Sequence, residues 1–390
     1  MRRVRLKEIG TFYSGLSGKS KSDFSEGNAL LVTYRNIFNN PVLNPAIKDT
    51  VVVGKDEKQN EVLWGDILIT GSSETPADAG MSSVVLFNPQ EKMYLNSFCF
   101  GFRLNDMNEA LPSYIGHLLR STSIRAAISK TAFGVTRFNV NRMRFADIEI
   151  PLPPLNIQKE IVSILDSFTS LIGKMKQEVE MRKKQMEYYR EKLMAPQTNW
   201  KIKTLGEIGT FTRGNGLQKS DFRVKGFPCV HYGQIHTYYN TCIYKTKSFC
   251  EEDLAKKLQK ASYGDLLIAT TSEDVKACCK AAVWFGAGDV AYSGDSFCYS
   301  HDQDPKYMAY LFQTEMFAKQ KQKAATGAKV IRVSGESMAS FSFAFPPLVQ
   351  QRQIASILDT FESYISKLEK MIELRQKQYE YYREKLLTFE

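Results

Sequence analysis

Two stretches of this chain carry an apolar residue at alternating steps of four and three. The first runs Ile161, Leu165, Phe168, Ile172, Met175, Val179, Arg182, Met186, Tyr189, Leu193; the second runs Ile354, Leu358, Phe361, Ile365, Leu368, Ile372, Arg375, Tyr379, Tyr382, Leu386. Such a seam, held for more than four heptads, predicts a left-handed coiled-coil helix. Each helix has about 38 residues and so a length of about 57 Å. One helix alone would expose its seam, whereas two in one chain can pair. The Arg at the same seam position in both, Arg182 and Arg375, either snorkels out or fixes the register.

Outside these helices the pattern changes. Short apolar runs such as Ala29-Leu30-Leu31-Val32, Asp66-Ile67-Leu68-Ile69 and Ser83-Val84-Val85-Leu86-Phe87 are separated by Gly, Asn, Pro and Asp. They predict mixed, mainly β globules. One short helix is expected in each, near 112–130 and 305–324. The domain order is then a globule over 1–150, a coiled-coil helix over 151–196, a second globule over 197–343 and a second helix over 344–390.

The chain also repeats itself. Pro153-Pro154-Leu155, Gln158, Ile161, Ile164-Leu165-Asp166 and Phe168 recur 193 residues later as Pro346-Pro347-Leu348, Gln351, Ile354, Ile357-Leu358-Asp359 and Phe361. Tyr188-Tyr189-Arg190-Glu191-Lys192-Leu193 returns as Tyr381-Tyr382-Arg383-Glu384-Lys385-Leu386. The globules match more weakly, at an offset of 198–199: Glu8-Ile9-Gly10-Thr11-Phe12 with Glu207-Ile208-Gly209-Thr210-Phe211, Gly65-Asp66 with Gly264-Asp265, Ser73-Glu74 with Ser272-Glu273, and Ser97-Phe98-Cys99 with Ser296-Phe297-Cys298. Two copies make a pseudo-two-fold molecule suited to a target with two halves, and are too few for a solenoid. Near-identical helices beside divergent globules suggest a scaffold that meets one partner twice while each globule meets something different.

Composition narrows the class. The net charge of +10 divides as +3 on the first globule and +5 on the second, a balance that suits a polyanionic partner. No apolar run reaches the roughly 18 residues of a membrane span, so no membrane role is expected. Seven cysteines, an odd number with no CxxC, argue against disulfides or zinc and for reduced thiols in a cytoplasm.

Catalytic chemistry is hard to find. Gly18-Lys19-Ser20 ends like a phosphate-binding loop, but the required earlier Gly is Tyr13. Asp265, Asp274 and Lys276 faintly suggest a nuclease, and the first globule has no equivalent. The four histidines form no metal-binding pair. We expect no catalytic residue, no metal and no cofactor in this chain.

The duplicated PPLxxQ lead-in, the coiled-coil helix behind it and the GDxLI globule ahead of it resemble the DNA-specificity subunits of type I restriction–modification systems, along essentially the whole chain. The resemblance implies an α+β fold with two target-recognition domains alternating with two long helices that pair antiparallel. It implies a prokaryotic, cytoplasmic, non-catalytic subunit. Each globule would bind one half of a bipartite double-stranded DNA target. The helices would dock two methyltransferase subunits and, with them, endonuclease/translocase subunits, through seam positions such as Ile161, Leu165, Phe168, Arg182, Tyr189, Ile354, Leu358, Phe361, Arg375 and Tyr382. S-adenosylmethionine, ATP and magnesium would belong to those partners.

Candidate base readers come from the residue types. Arg35 and Asn36 in Val32–Ile37, and His231 and Gln234 in the matching Val230–Ile235 with His236 just after it, lie among β-formers and carry side chains that read base edges. Thr136, Arg137 and Asn139, and Lys329 and Arg332, lie in Gly-flanked basic loops; Lys319, Lys321 and Lys323 suit phosphates better. The competing reading is a coiled-coil adaptor joining two protein-binding globules without DNA.

Overall fold

The structure, a computed structural model, describes residues 2–24 and 26–389. By contact it divides into two units, Met1–Lys176 with Lys370–Glu390, and Gln177–Glu369. The unit boundaries therefore fall inside the long helices, unlike the sequence division at 151, 197 and 344.

The first unit holds a four-stranded antiparallel sheet ordered Gly10–Ser14, Cys99–Leu104, Ile67–Thr70, Ser82–Val84. A mixed sheet lies in the same globule, with Ala29–Val32 parallel to Met93–Leu95 and antiparallel to Thr50–Val51. The second unit repeats the plan with Gly209–Arg213, Ser296–His301, Leu266–Ala269, Lys280–Trp284 and Cys242–Ile243. In each globule the first and last strands pair, Arg3–Arg5 with Glu149–Pro151 and Lys201–Thr204 with Ser342–Phe345, so its two ends meet.

The repeated Gly-Asp has a physical cause. Gly65 and Gly264 sit at φ +86° and +93°, a left-handed conformation that glycine adopts without cost. The Asp that follows closes the turn, Asp66 accepting from the Leu63 amide and Asp265 from the Ser262 amide, each at 2.8 Å. The Ser-Phe-Cys repeat is instead out of register. Ile69 pairs with Phe100 and Ile268 with Phe297, so the strands correspond at an offset of 197 and Cys99 matches Ser296. The single helix expected near 112–130 is two, Pro112–Leu119 and Thr122–Ser129, and that near 305–324 is Pro305–Leu311 and Glu315–Ala324.

The long helices span Leu155–Met194 and Leu348–Leu387, each beginning directly after its Pro pair. They pack antiparallel, and the seam residues are buried or half-buried. Phe168 stacks on Tyr382 in the first unit, and Tyr189 on Phe361 in the second, both with centroids 5.5 Å apart. Arg182 and Arg375 each turn back onto their own helix, donating to Gln185 (2.8 Å) and Gln378 (2.6 Å).

The residues repeated in the helices are those that seat the globules. Buried Gln158 accepts from the Leu111 amide and donates to the carbonyls of Glu109 and Pro153. Gln351 does the same for the Asp304 amide and the Pro346 carbonyl. Glu384 accepts from the Thr122 amide and Glu191 from the Glu315 amide, each carboxylate sitting at the positive end of a helix. Asp166 meets His117 at 2.8 Å, and Asp359 meets Tyr310 at 2.9 Å. The repeated helix motifs are thus accounted for by two corresponding intramolecular seats. Among the described residues, no helix is long and apolar enough to cross a membrane.

Candidate nucleic-acid interface

Val32–Ile37 is not the strand its β-formers suggest. The strand ends at Val32, and Thr33 caps a short helix, Tyr34–Asn39, by accepting from the Asn36 amide. Its counterpart Tyr232–Thr237 is capped by His231. The two Gly-flanked loops lie at the tips of matching hairpins. Ala132–Phe133 pairs with Phe138–Val140, which pairs with Ser72–Ser73; Ile331–Arg332 pairs with Thr271–Ser272. Gly134 and Gly327 turn the hairpins at φ +133° and +103°. A Cβ on either would lie within 2.1 Å of the carbonyl of Arg137 or Val330.

In the first globule the short helix and the hairpin tip line one cleft of about 480 Å³, with Tyr34, Phe38, Glu74, Asp78, Thr136 and Arg137 in its walls. Arg137 donates to Ser72 (3.2 Å), and its guanidinium lies 5.3 Å from the exposed Phe98 ring. Arg35, Thr136 and Asn139 carry no side-chain hydrogen bond or ion pair among the described residues. A cleft with both a cation and carboxylates suits base edges better than phosphates, because carboxylates repel phosphate but accept from cytosine. The residue types did not single out Glu74, Asp78 or Phe98, although the Ser73-Glu74 repeat marks the loop of the first two.

The second globule is arranged differently. One cleft there, about 380 Å³, is lined by Arg213, Gln218, His231, Tyr232 and Asp295; Lys329 and Arg332 lie outside it, exposed and without a side-chain partner among the described residues. Burial lowers the pKa of His231, whose Nδ1 accepts from the Gly233 amide, so this ring is neutral.

Several candidates are engaged within the chain. Asn36 holds the following loop through Asn40 and both backbone groups of Asn44. Gln234 bridges the His231 amide and Ser248, and His236 Nε2 donates to the Thr271 carbonyl at 2.9 Å. Lys321, expected at a phosphate, is buried and donates to the carbonyls of Lys276 and Cys278. The carboxylates of the nuclease reading close local turns, Asp274 on the Ala277 amide and Asp265 on Ser262.

Comparison with known proteins gives one consistent result. The family model described as the type I restriction modification DNA specificity domain matches twice, over residues 1–181 and 197–376. A putative type I restriction enzyme specificity subunit of Haemophilus influenzae is 30% identical over 272 residues, covering 66% of this chain and 68% of that protein. The EcoR124I/EcoR124II specificity subunit of Escherichia coli is 28% identical over 256 residues, covering 62% of this chain and 63% of that protein. The fold is that of the type I restriction–modification S subunit from M. genitalium, with TM-score 0.57, 15% identity, and coverage of 100% of this chain and 96% of that one. With two matched copies along nearly its whole length, the chain belongs to the type I restriction modification DNA specificity family.

Proposed function

We propose that this chain is the non-catalytic, sequence-reading subunit of a type I restriction–modification complex. Each globule reads one half of a bipartite double-stranded target, and the helices dock two methyltransferase subunits and the endonuclease/translocase subunits. S-adenosylmethionine, ATP and magnesium act in those partners. The observation that carries the reading is the exposed set of partner-free side chains on equivalent elements, Arg35, Thr136 and Asn139 in one globule and Lys329 and Arg332 in the other. Arg35 and Arg137 can each grip guanine O6 and N7, while Glu74 and Asp78 can accept from cytosine N4. Lysines and arginines outside the clefts fix the register on phosphates.

The test is the chain assembled with its methyltransferase partner, titrated against random duplexes at several salt concentrations. A log–log salt slope of several units is expected from released counterions. The absence of binding, or a flat slope, overturns the reading. Mapping the methylated motif in the host then gives the two half-sites.

A further inference from the structure

In each globule the short helix and a neighbouring loop are held from behind by cations that have no acid partner among the described residues. In the first globule Arg120 donates to the carbonyls of Ile37 (3.2 Å) and Phe38 (3.4 Å), at the C-terminal end of the short helix, and to Ser82 at 2.8 Å. Arg125 donates to the carbonyls of Ala77, Ala79 and Gly80, all within 2.7 Å, in the loop that carries Asp78. In the second globule Lys280 donates to the carbonyls of His236 (3.1 Å) and Tyr239 (2.9 Å). Lys321 donates to those of Lys276 (2.9 Å) and Cys278 (2.8 Å).

Three of the acceptors correspond between the repeats and the donors do not. Phe38 matches His236 at the offset of the short helices, and Ala77 and Ala79 match Lys276 and Cys278 at the offset of the neighbouring strands. Arg120 and Arg125 follow or lie in the helices after the main sheet. Lys280 lies in a strand of that sheet, and Lys321 lies one turn beyond the position matching Arg125. The duplication has therefore kept three of the gripped carbonyls and changed the residues that grip them. None of the four cations forms an ion pair among the described residues.

We propose that Arg120 and Arg125 in the first globule, and Lys280 and Lys321 in the second, are positioning residues that set the short helix and the adjacent loop against DNA. The proposal rests on the DNA reading above. Burial lowers the pKa of all four, so each is held as a cation against its desolvation cost. An apolar side chain of similar volume would serve packing as well or better. A six-residue helix has too few internal bonds to hold its own orientation. A cation at its C-terminal end supplies bonds to free carbonyls and suits the dipole there.

The test uses Arg120→Met, Arg125→Met, Lys280→Met and Lys321→Met in the full chain with its methyltransferase partner. Two quantities are read: amide hydrogen exchange over 37–40, 77–80, 236–239 and 276–279, and the affinity ratio of cognate to random duplex. Each variant is expected to lose protection in its own segment and at least about fivefold in the ratio, the lower end for one base contact. The loss should fall on one half-site only, with random-duplex affinity unchanged. Should Arg120→Met fail to fold, Arg120→Lys keeps the charge but not the fork, and should lose part of the protection and of the ratio. Unchanged protection overturns the brace whatever the DNA result. Lost protection with an unchanged ratio overturns the positioning role. A wild-type chain that discriminates no DNA removes the DNA reading and the positioning role together, while amide exchange still decides the brace.

Discussion

Replacing Gln158 by leucine should destabilise the first unit more than the twin replacement of Gln351 destabilises the second. Both glutamines are fully buried, and both seat a globule on a long helix. Gln158 serves three backbone groups, the Leu111 amide at 2.9 Å and the carbonyls of Glu109 and Pro153 at 2.9 and 2.8 Å. Leucine leaves all three without that partner. At about 1 kcal/mol or more for each buried polar group left unsatisfied, the loss is about 3 kcal/mol. Gln351 serves two backbone groups, the Asp304 amide and the Pro346 carbonyl; its third partner is the side chain of Gln303. That side chain can rotate to water, so the second loss is about 2 kcal/mol. Urea unfolding followed by circular dichroism, with amide exchange assigning the loss to one unit, measures both. An unchanged slope is required for the midpoints to be compared. A cost below about 1 kcal/mol for Gln158→Leu, or a larger cost for Gln351→Leu, would refute the claim that these repeated glutamines are seats.

Glu384→Gln and Glu191→Gln each weaken a carboxylate at a helix N-terminus, and each should lower stability by about 0.5–1 kcal/mol in low salt, measured by thermal unfolding. Arg35→Ala and Arg137→Ala should relax the methylated motif at one half-site, by about 1–3 kcal/mol if the contact is bidentate; uniform weakening on all duplexes would place them on phosphates. Asn36→Ala should act on stability through the loop to Asn44, with base preference following only as the loop loosens, which amide exchange over 40–44 reports. Exchanging residues 1–150 for a relative's globule should alter one half of the methylated motif and keep the other; a change in both halves would end the modular reading.

The seam was legible because its period survives any local detail, and so were the Gly-Asp turns, where backbone geometry demands one residue type. The register of Ser-Phe-Cys was not. A two-residue difference between the repeats lies before that strand, and a three-letter match cannot reveal it. Val32–Ile37 was misleading because its side chains favour a strand while one hydroxyl, that of Thr33, caps a helix. Among the candidate readers, chemical type identified groups able to meet a base but not those already engaged, as Asn36 and Gln234 are. The four bracing cations leave no trace in the sequence, because a carbonyl can be gripped from any position that reaches it.

The first unit closes on itself through residues far apart in the chain. His117 meets Tyr379, a separation of 262 residues, and Thr122 meets Glu384 over the same span. During synthesis at about 5–20 residues per second, the later partner emerges roughly 13–50 s after the earlier one. Throughout that interval the first globule exists without its complete seat, and the seam of the first helix is open to any apolar surface nearby. The second unit lies in one continuous stretch, and its wait, from Tyr189 to Phe361, is shorter. Production of this protein is therefore sensitive to the pace of translation and to holding chaperones in a way that its finished stability does not reveal, and the first globule is where trapped or aggregated chains should be found.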